Sequence, residues 1–362
     1  MHGGDIYTEG ILKGKNLIDF SSNINPLGVP ESLKENINEV LENVKVYPDI
    51  KYRSLKNNII NYLDSFYKYF GFNKKDDLIK FENEDIVLGN GAIEIIDLSI
   101  SLFNSITIVV PSFVEYKDCS KKWGLNINYS KLNGDMTYNY ENIKESLKNS
   151  DALIIANPNN PSGNVIDKDK FKAVLEFAEK NNKTIIIDEA FVEFTGKKNI
   201  SLLNLCSKYK CIIIIRALTK FFALPGVRFG YGITKNKNLI KKIKEKQNPW
   251  NINSLAEVAV NYVLKDEKYI NKSIEYIEKE REFILKNLRE INIFEKVYKT
   301  NSNFVLCKLK NLKSGYIKDV LLKSGIVIRE CFDFETLDEN YIRFAIKSRE
   351  NNNKLISLLK NI

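Results

Sequence analysis

The stretch Arg216-Ala217-Leu218-Thr219-Lys220-Phe221-Phe222-Ala223-Leu224-Pro225-Gly226-Val227-Arg228 follows the almost pure isoleucine run Cys211–Ile215. A lysine flanked by arginines leaves a strand that has no polar face, and the chain then turns apolar again. Surface lysines usually sit on solvated, charged stretches, and this one is too apolar for that. Lys220 is therefore a candidate site residue. Working outward, further apolar runs at Ile106–Val110, Ala152–Ala156, Thr184–Ile187 and Phe229–Ile233 read as strands. Helical patterns at Ile93–Phe103 and Asp169–Lys180 lie between them. The alternation predicts an α/β fold with a mostly parallel central sheet covered by helices on both faces.

After Trp250 the texture changes. Residues 255–288 form a long charged helical region, read as two helices or one broken helix. Short strands at Asn303–Leu309, Ile326–Arg329 and Tyr341–Ile346 follow, with helices at Gly315–Ser324 and Arg349–Lys360. The expected division is an N-terminal arm over 1–44 that covers the active site as part of a small domain, a large domain over 45–254, and a small α+β C-terminal domain over 255–362.

With 362 residues, 44% hydrophobic and 28% charged, the chain can bury a large core, so disorder is a poor reading. A formal net charge of +9 invites a nucleic-acid partner. The lysines are nevertheless scattered along helical stretches with acids interleaved, as on a solvated surface, and the charge also suits small anionic substrates. Cys119, Cys206, Cys211, Cys307 and Cys331 are odd in number and widely spaced, so reduced core thiols and no metal site are expected. Residues 1–10 lack a basic region followed by an apolar core, and no apolar run is long enough to span a bilayer. A cytoplasmic protein without nucleic-acid or membrane partners is expected.

Three more motifs sit at the carboxyl ends of expected strands, where open α/β sheets build their sites. Gly89-Asn90-Gly91 precedes the helix beginning near Ala92, where backbone amides can approach an anion. Asn157-Pro158-Asn159-Asn160-Pro161-Ser162-Gly163 follows a buried strand, so Asn157 can reach a site. Asp188-Glu189-Ala190-Phe191 leaves a carboxylate where it is costly unless it meets a cation. Each motif alone also reads as a turn or a helix cap. Together they supply what pyridoxal 5'-phosphate (PLP) requires: a lysine for its Schiff base, a carboxylate for its ring nitrogen, and groups for its phosphate.

In order and surroundings, these motifs resemble those of fold-type-I PLP enzymes, the class I/II aminotransferases, across essentially the whole chain. The resemblance implies that Lys220 carries the cofactor and that Asp188 pairs with its ring nitrogen. Asn157 would bond the ring hydroxyl and Phe113 would stack on the ring. Arg228 and the backbone of Gly89, Asn90, Gly91 and Ala92 would hold the phosphate. Tyr47 resembles the tyrosine that reaches the phosphate of a neighbouring subunit, which implies a homodimer with shared active sites. Ala217 departs from the pattern by replacing a serine or threonine of the phosphate cup.

Two subfamilies compete, histidinol-phosphate aminotransferase and the threonine-phosphate decarboxylase of cobalamin synthesis. His2-Gly3-Gly4 and Asp19-Phe20-Ser21-Ser22-Asn23-Ile24-Asn25-Pro26-Leu27-Gly28 are similar to the N-terminal signature of the second. Phe191 stands where aminotransferases of this fold usually carry a tyrosine, and Asn248–Asn253 resembles a substrate-side motif. By that likeness His2, Gly3, Asn23, Asn157, Arg329 and Arg343 would bind a phosphorylated amino acid. The expected activity is therefore PLP-dependent decarboxylation of L-threonine O-3-phosphate. Transamination of histidinol phosphate is the alternative, and a non-catalytic PLP-binding regulator is the least favoured reading.

Overall fold

Runs of β-branched residues with no polar alternation bury both faces of a strand, and they account for the centre of this protein. The computed structural model describes residues 3–71 and 80–362. A two-residue strand, β1 (Ile18–Asp19), opens the chain. Seven strands then form one sheet: β2 (Ile86–Asn90), β3 (Ser105–Val110), β4 (Asn126–Lys131), β5 (Ala152–Ala156), β6 (Thr184–Asp188), β7 (Ile212–Ala217) and β8 (Phe229–Ile233). Their order is β2-β8-β7-β6-β5-β3-β4. The pairs among β3 to β7 are parallel, whereas β8 runs antiparallel to both β2 and β7. Every residue of β5, β6, β7 and β8 is buried. At about 1.5–3 kcal/mol for each large aliphatic side chain, this is a major share of the hydrophobic driving force.

The later chain builds β9 (Phe294–Val297), β10 (Phe304–Leu309), β11 (Ile326–Val327), β12 (Arg329–Glu330) and β13 (Tyr341–Ala345). Four of them make an antiparallel sheet in the order β12-β13-β10-β9, while β11 pairs in parallel with β1. The single strand expected at Ile326–Arg329 is thus two short strands in different sheets. The helical region after Trp250 is two helices, Ser254–Val263 and Glu267–Arg289, and the side chains of Asn253 and Asp266 accept hydrogen bonds from their first turns. All five cysteines are free and buried. Burial pushes the thiols of Cys119 and Cys331 up to about 12. Among the described residues, no helix is long and apolar enough to cross a membrane.

Candidate active site

Because β5, β6 and β7 are parallel neighbours, their carboxyl ends open side by side, and the turns after them line a cavity of about 260 Å³. Ala156, Pro158 and Asn160 come from the first turn, Asp188, Ala190 and Phe191 from the second, and Ala217, Thr219 and Lys220 from the third. Phe113 and Tyr116, beyond the end of β3, and Ala92, Ile93 and Ile96 in the first turns of the helix that follows β2 complete that end. Opposite them stand Gly3, Ser21, Ser22, Asn23, Arg329 and Arg343. Residues separated by more than 300 positions therefore share one chamber.

Charge in the chamber is unbalanced. Among the described residues, Lys220, Arg228, Arg329 and Arg343 face one lining carboxylate, Asp188. Burial and then the nearby Arg343 and Arg228 guanidinium groups push the Lys220 ammonium down to about 8. Asp188 is held by the Tyr116 hydroxyl, which donates to Oδ2 at 2.5 Å, and by the Ala190 N–H, which donates to Oδ1 at 2.9 Å. Burial still raises its carboxyl above the ordinary range. A cation placed against Asp188 would relieve that penalty, and a protonated pyridine nitrogen is such a cation.

At the helix start, Gly91 has φ +82°, and a Cβ there would lie 2.7 Å from Arg228 Nη2. Gly230 on β8 is equally constrained, since a Cβ would lie 2.3 Å from the Ala92 nitrogen. These two glycines let Arg228 and the helix N-terminus converge on one spot, a cradle for an anion. Of the motif expected there, Ala92 lines the cavity. Gly89 packs against Ile95, and the Asn90 N–H is taken by the Glu94 carboxylate, so neither faces the chamber.

Asn157 is corrected more sharply. It is fully buried, its Nδ2 donates to Glu189 Oε1 and the Ile200 carbonyl, and its Oδ1 accepts from the Ile166 N–H. The carboxamide that the turn presents to the cavity is Asn160, three residues on, whose Oδ1 accepts from Arg343 Nη1. A turn this rich in proline and asparagine does not keep strand alternation, so facing could not be counted from the strand. Thr219, next to Lys220, was also missed as a wall residue, and it offers a hydroxyl near the position where Ala217 has none.

The opposite wall is knotted by side chains. Asp19 accepts from the backbone N–H and hydroxyl of both Ser21 and Ser22. Burial alone would raise its carboxyl, but those hydrogen bonds and Lys347 hold it below the usual value. Arg343 Nη2 donates to the Ser21 carbonyl at 2.7 Å, and Lys347 Nζ donates to the Ser22 carbonyl at 3.0 Å. The Gly4 N–H donates to Ser21 Oγ at 2.7 Å, and a Cβ on Gly3 would lie 2.4 Å from the Ser21 carbonyl oxygen. Arg329 Nη2 meets both oxygens of Asp333 at 2.8 Å. His2 lies outside the described residues. Tyr47 does not line its own chain's cavity, and its exposed ring lies 4.9 Å from that of Trp250.

The pattern of the family described as aminotransferase class I and II matches residues 15–359. A protein of Caldanaerobacter subterraneus subsp. tengcongensis, provisionally named a threonine-phosphate decarboxylase, is 40% identical over 366 aligned positions, covering 100% of this chain and 93% of its own length. The histidinol-phosphate aminotransferase of the same organism is 31% identical over 349 positions, covering 94% and 92%. Among solved structures, the histidinol-phosphate aminotransferase from Clostridium acetobutylicum is 49% identical with a TM-score of 0.88, covering 95% of this chain and 98% of its own. A buried lysine, a carboxylate awaiting a cation and an anion cradle thus occur in a chain matched almost from end to end, and this protein belongs to the PLP-dependent class I and II aminotransferase family.

Proposed function

We propose that the protein decarboxylates L-threonine O-3-phosphate to (R)-1-amino-2-propanol O-2-phosphate. The observation that carries this reading is the N-terminal segment, whose Gly3, Ser21, Ser22 and Asn23 form one wall of the cavity beside Arg329 and Arg343. On this reading, substrate recognition falls to the stretch of sequence that resembles the decarboxylase signature. The greater identity to the Caldanaerobacter protein provisionally named a decarboxylase than to the aminotransferase of that organism, 40% against 31%, supports it. Phe191 supports it further, since it has no hydroxyl to offer a cofactor.

When bound, PLP supplies an electron sink for the pair left behind at Cα. Lys220 would carry the cofactor, Asp188 would hold its ring nitrogen, Asn160 would meet the ring hydroxyl, and Arg228, Thr219 and the Ala92 amide would hold the phosphate. In this arrangement Arg329, Arg343 and Asn23 grip the substrate's phosphate. The grip would leave the carboxylate without an arginine of its own, so these residues would hold the phosphate end and leave the carboxylate free to depart as CO2. Binding energy at the remote phosphate thereby orients the bond that breaks. A proton must then return to Cα. Tyr116, the tyrosine in the wall, is committed to Asp188 and its hydroxyl pKa is pushed far up by burial. Lys220, brought down to about 8, can carry and release a proton near neutrality.

Transamination of histidinol phosphate is the second reading, favoured by the 49% identity to the Clostridium acetobutylicum enzyme. It would use the same lysine and the same phosphate grip. The test is CO2 release from L-threonine O-3-phosphate by the PLP-loaded protein with no keto acid present. Turnover that vanishes in Lys220→Ala supports decarboxylation. Absence of CO2, with glutamate formed from histidinol phosphate and 2-oxoglutarate, would overturn it.

A further inference from the structure

Behind the site, where the end of β6 meets β7, lies a buried ion pair that no step above uses. Glu189 and Arg216 are both fully buried. Glu189 Oε2 accepts from Arg216 Nη2 at 2.9 Å, from Arg216 Nε at 3.2 Å and from the Ser201 hydroxyl at 2.6 Å. Its Oε1 accepts from the Leu202 N–H at 2.7 Å and from Asn157 Nδ2 at 3.3 Å. Arg216 Nη2 also donates to Ser201 Oγ at 2.6 Å, and the guanidinium carbon lies 4.1 Å from the Phe66 ring centroid.

The three principal residues are spaced tellingly. Asn157 is the first residue beyond β5, Glu189 the first beyond β6, and Arg216 the penultimate residue of β7. Each is followed within a few residues by one that faces the cavity: Asn160, then Ala190 and Phe191, then Thr219 and Lys220. Asp188 itself directly precedes Glu189. Backbone bonds from the Asn157 N–H to the Asp188 carbonyl, at 2.7 Å, and from the Glu189 N–H to the Ile215 carbonyl, at 2.8 Å, complete the cross-linking. A dry core does not need such a pair for stability, because apolar residues of equal volume commonly serve as well. What apolar residues cannot do is fix three strand ends in one register through directional bonds.

We infer that Glu189 and Arg216, with Asn157, are positioning residues that set the spacing of Asn160, Asp188 and Lys220 around the cofactor. They touch neither cofactor nor substrate and act through the three turns. The inference depends on the PLP chemistry of the family and not on which reaction is catalysed.

The test uses the PLP-loaded full chain and two variants. Glu189→Leu/Arg216→Met keeps the net charge and the core volume, so its melting temperature should stay within about 5 °C of wild type. Its kcat should fall by roughly tenfold to a hundredfold with KM changed by less than about threefold, as misplaced groups predict. The pH midpoint of the bound cofactor's visible absorbance should move by at least about half a unit, since that value reads the surroundings of Lys220 directly. Arg216→Lys keeps the charge without the fork, should give a smaller change of the same kind, and decides the matter if the double variant does not fold. A folded variant whose kcat stays within about twofold of wild type and whose absorbance midpoint is unchanged would reduce the pair to core packing and overturn the inference. The absorbance midpoint remains informative even if no CO2 is released from L-threonine O-3-phosphate, so the two proposals fail separately.

Discussion

The two ends of the cavity are built on different principles. The end with Asp188 and Lys220 stands on strands buried along their whole length and tied together from behind by Glu189 and Arg216. The end with Ser21, Asn23, Arg329 and Arg343 stands on turns, on the two-residue strands β1 and β12, and on β13, held by the Asp19 knot and Arg343. Chemistry common to a family demands fixed geometry and sits on the stiff end. Under the proposed function, the choice of substrate would sit where a few side chains set the shape, so relatives could share the first end and differ at the second.

That contrast can be broken by substitution. Lys220→Ala should reduce turnover by more than about a thousandfold and abolish the visible absorbance of bound cofactor, whatever the substrate. Residual turnover above that level, measured on the purified variant, would remove the lysine from the centre of the stiff end. Arg343→Lys loses the fork that spans Asn160 and the Ser21 carbonyl, and kcat/KM should fall by roughly a hundredfold while PLP affinity stays near wild type. A matching loss of PLP affinity would mean that the two ends are not separable.

A stability measurement sharpens the same contrast. Glu193, 2% exposed in the core behind the site, has its carboxyl raised to about 7 by burial, partly opposed by Arg216. Its folded pKa lies above its unfolded one, so its contribution is fully present below about pH 4.5 and is lost as pH rises through about 7. Glu193→Gln should flatten that part of the pH profile of unfolding free energy, by an amount on the order of 3 kcal/mol. Gly3→Ala should displace the arm from the Ser21 carbonyl and raise KM by roughly tenfold with the melting temperature unchanged. The smallest effect belongs to Ala217→Ser. A hydroxyl restored to the phosphate cup should tighten PLP binding by about 0.5–1.5 kcal/mol, read as a slower loss of cofactor on dilution.

The sequence was most legible where burial is total. Apolar runs marked β3, β5, β6, β7 and β8 to within a residue or two, and Asp188 and Lys220 followed from the strand ends. β4 escaped notice because Asn126–Lys131 is a polar, largely exposed edge strand without an apolar signature. The antiparallel direction of β8 was equally hidden, since a strand buried on both faces reads alike either way. Ile326–Arg329 seemed one strand because an apolar run does not announce a change of partner. Asn157 and Asn160 were confused because proline turns break the count of which side chain faces where. Glu189 carried no reading of its own beside Asp188, and its role as a hub depends on Arg216 and Ser201, which only the packed sheet brings to it.

The buried thiols offer a means of watching the two ends independently. Cys206 and Cys211 lie beside the large sheet, whereas Cys307 and Cys331 lie in the small sheet and just after β12. A thiol shielded from solvent and raised in pKa reacts with an alkylating reagent only while its region is open. Mass-resolved labelling under native conditions therefore becomes a stopwatch for local opening, with reporters already placed on both sides of the cavity. Earlier labelling at Cys307 and Cys331 than at Cys206 and Cys211 would time the end with Arg329 and Arg343 as the one that breathes.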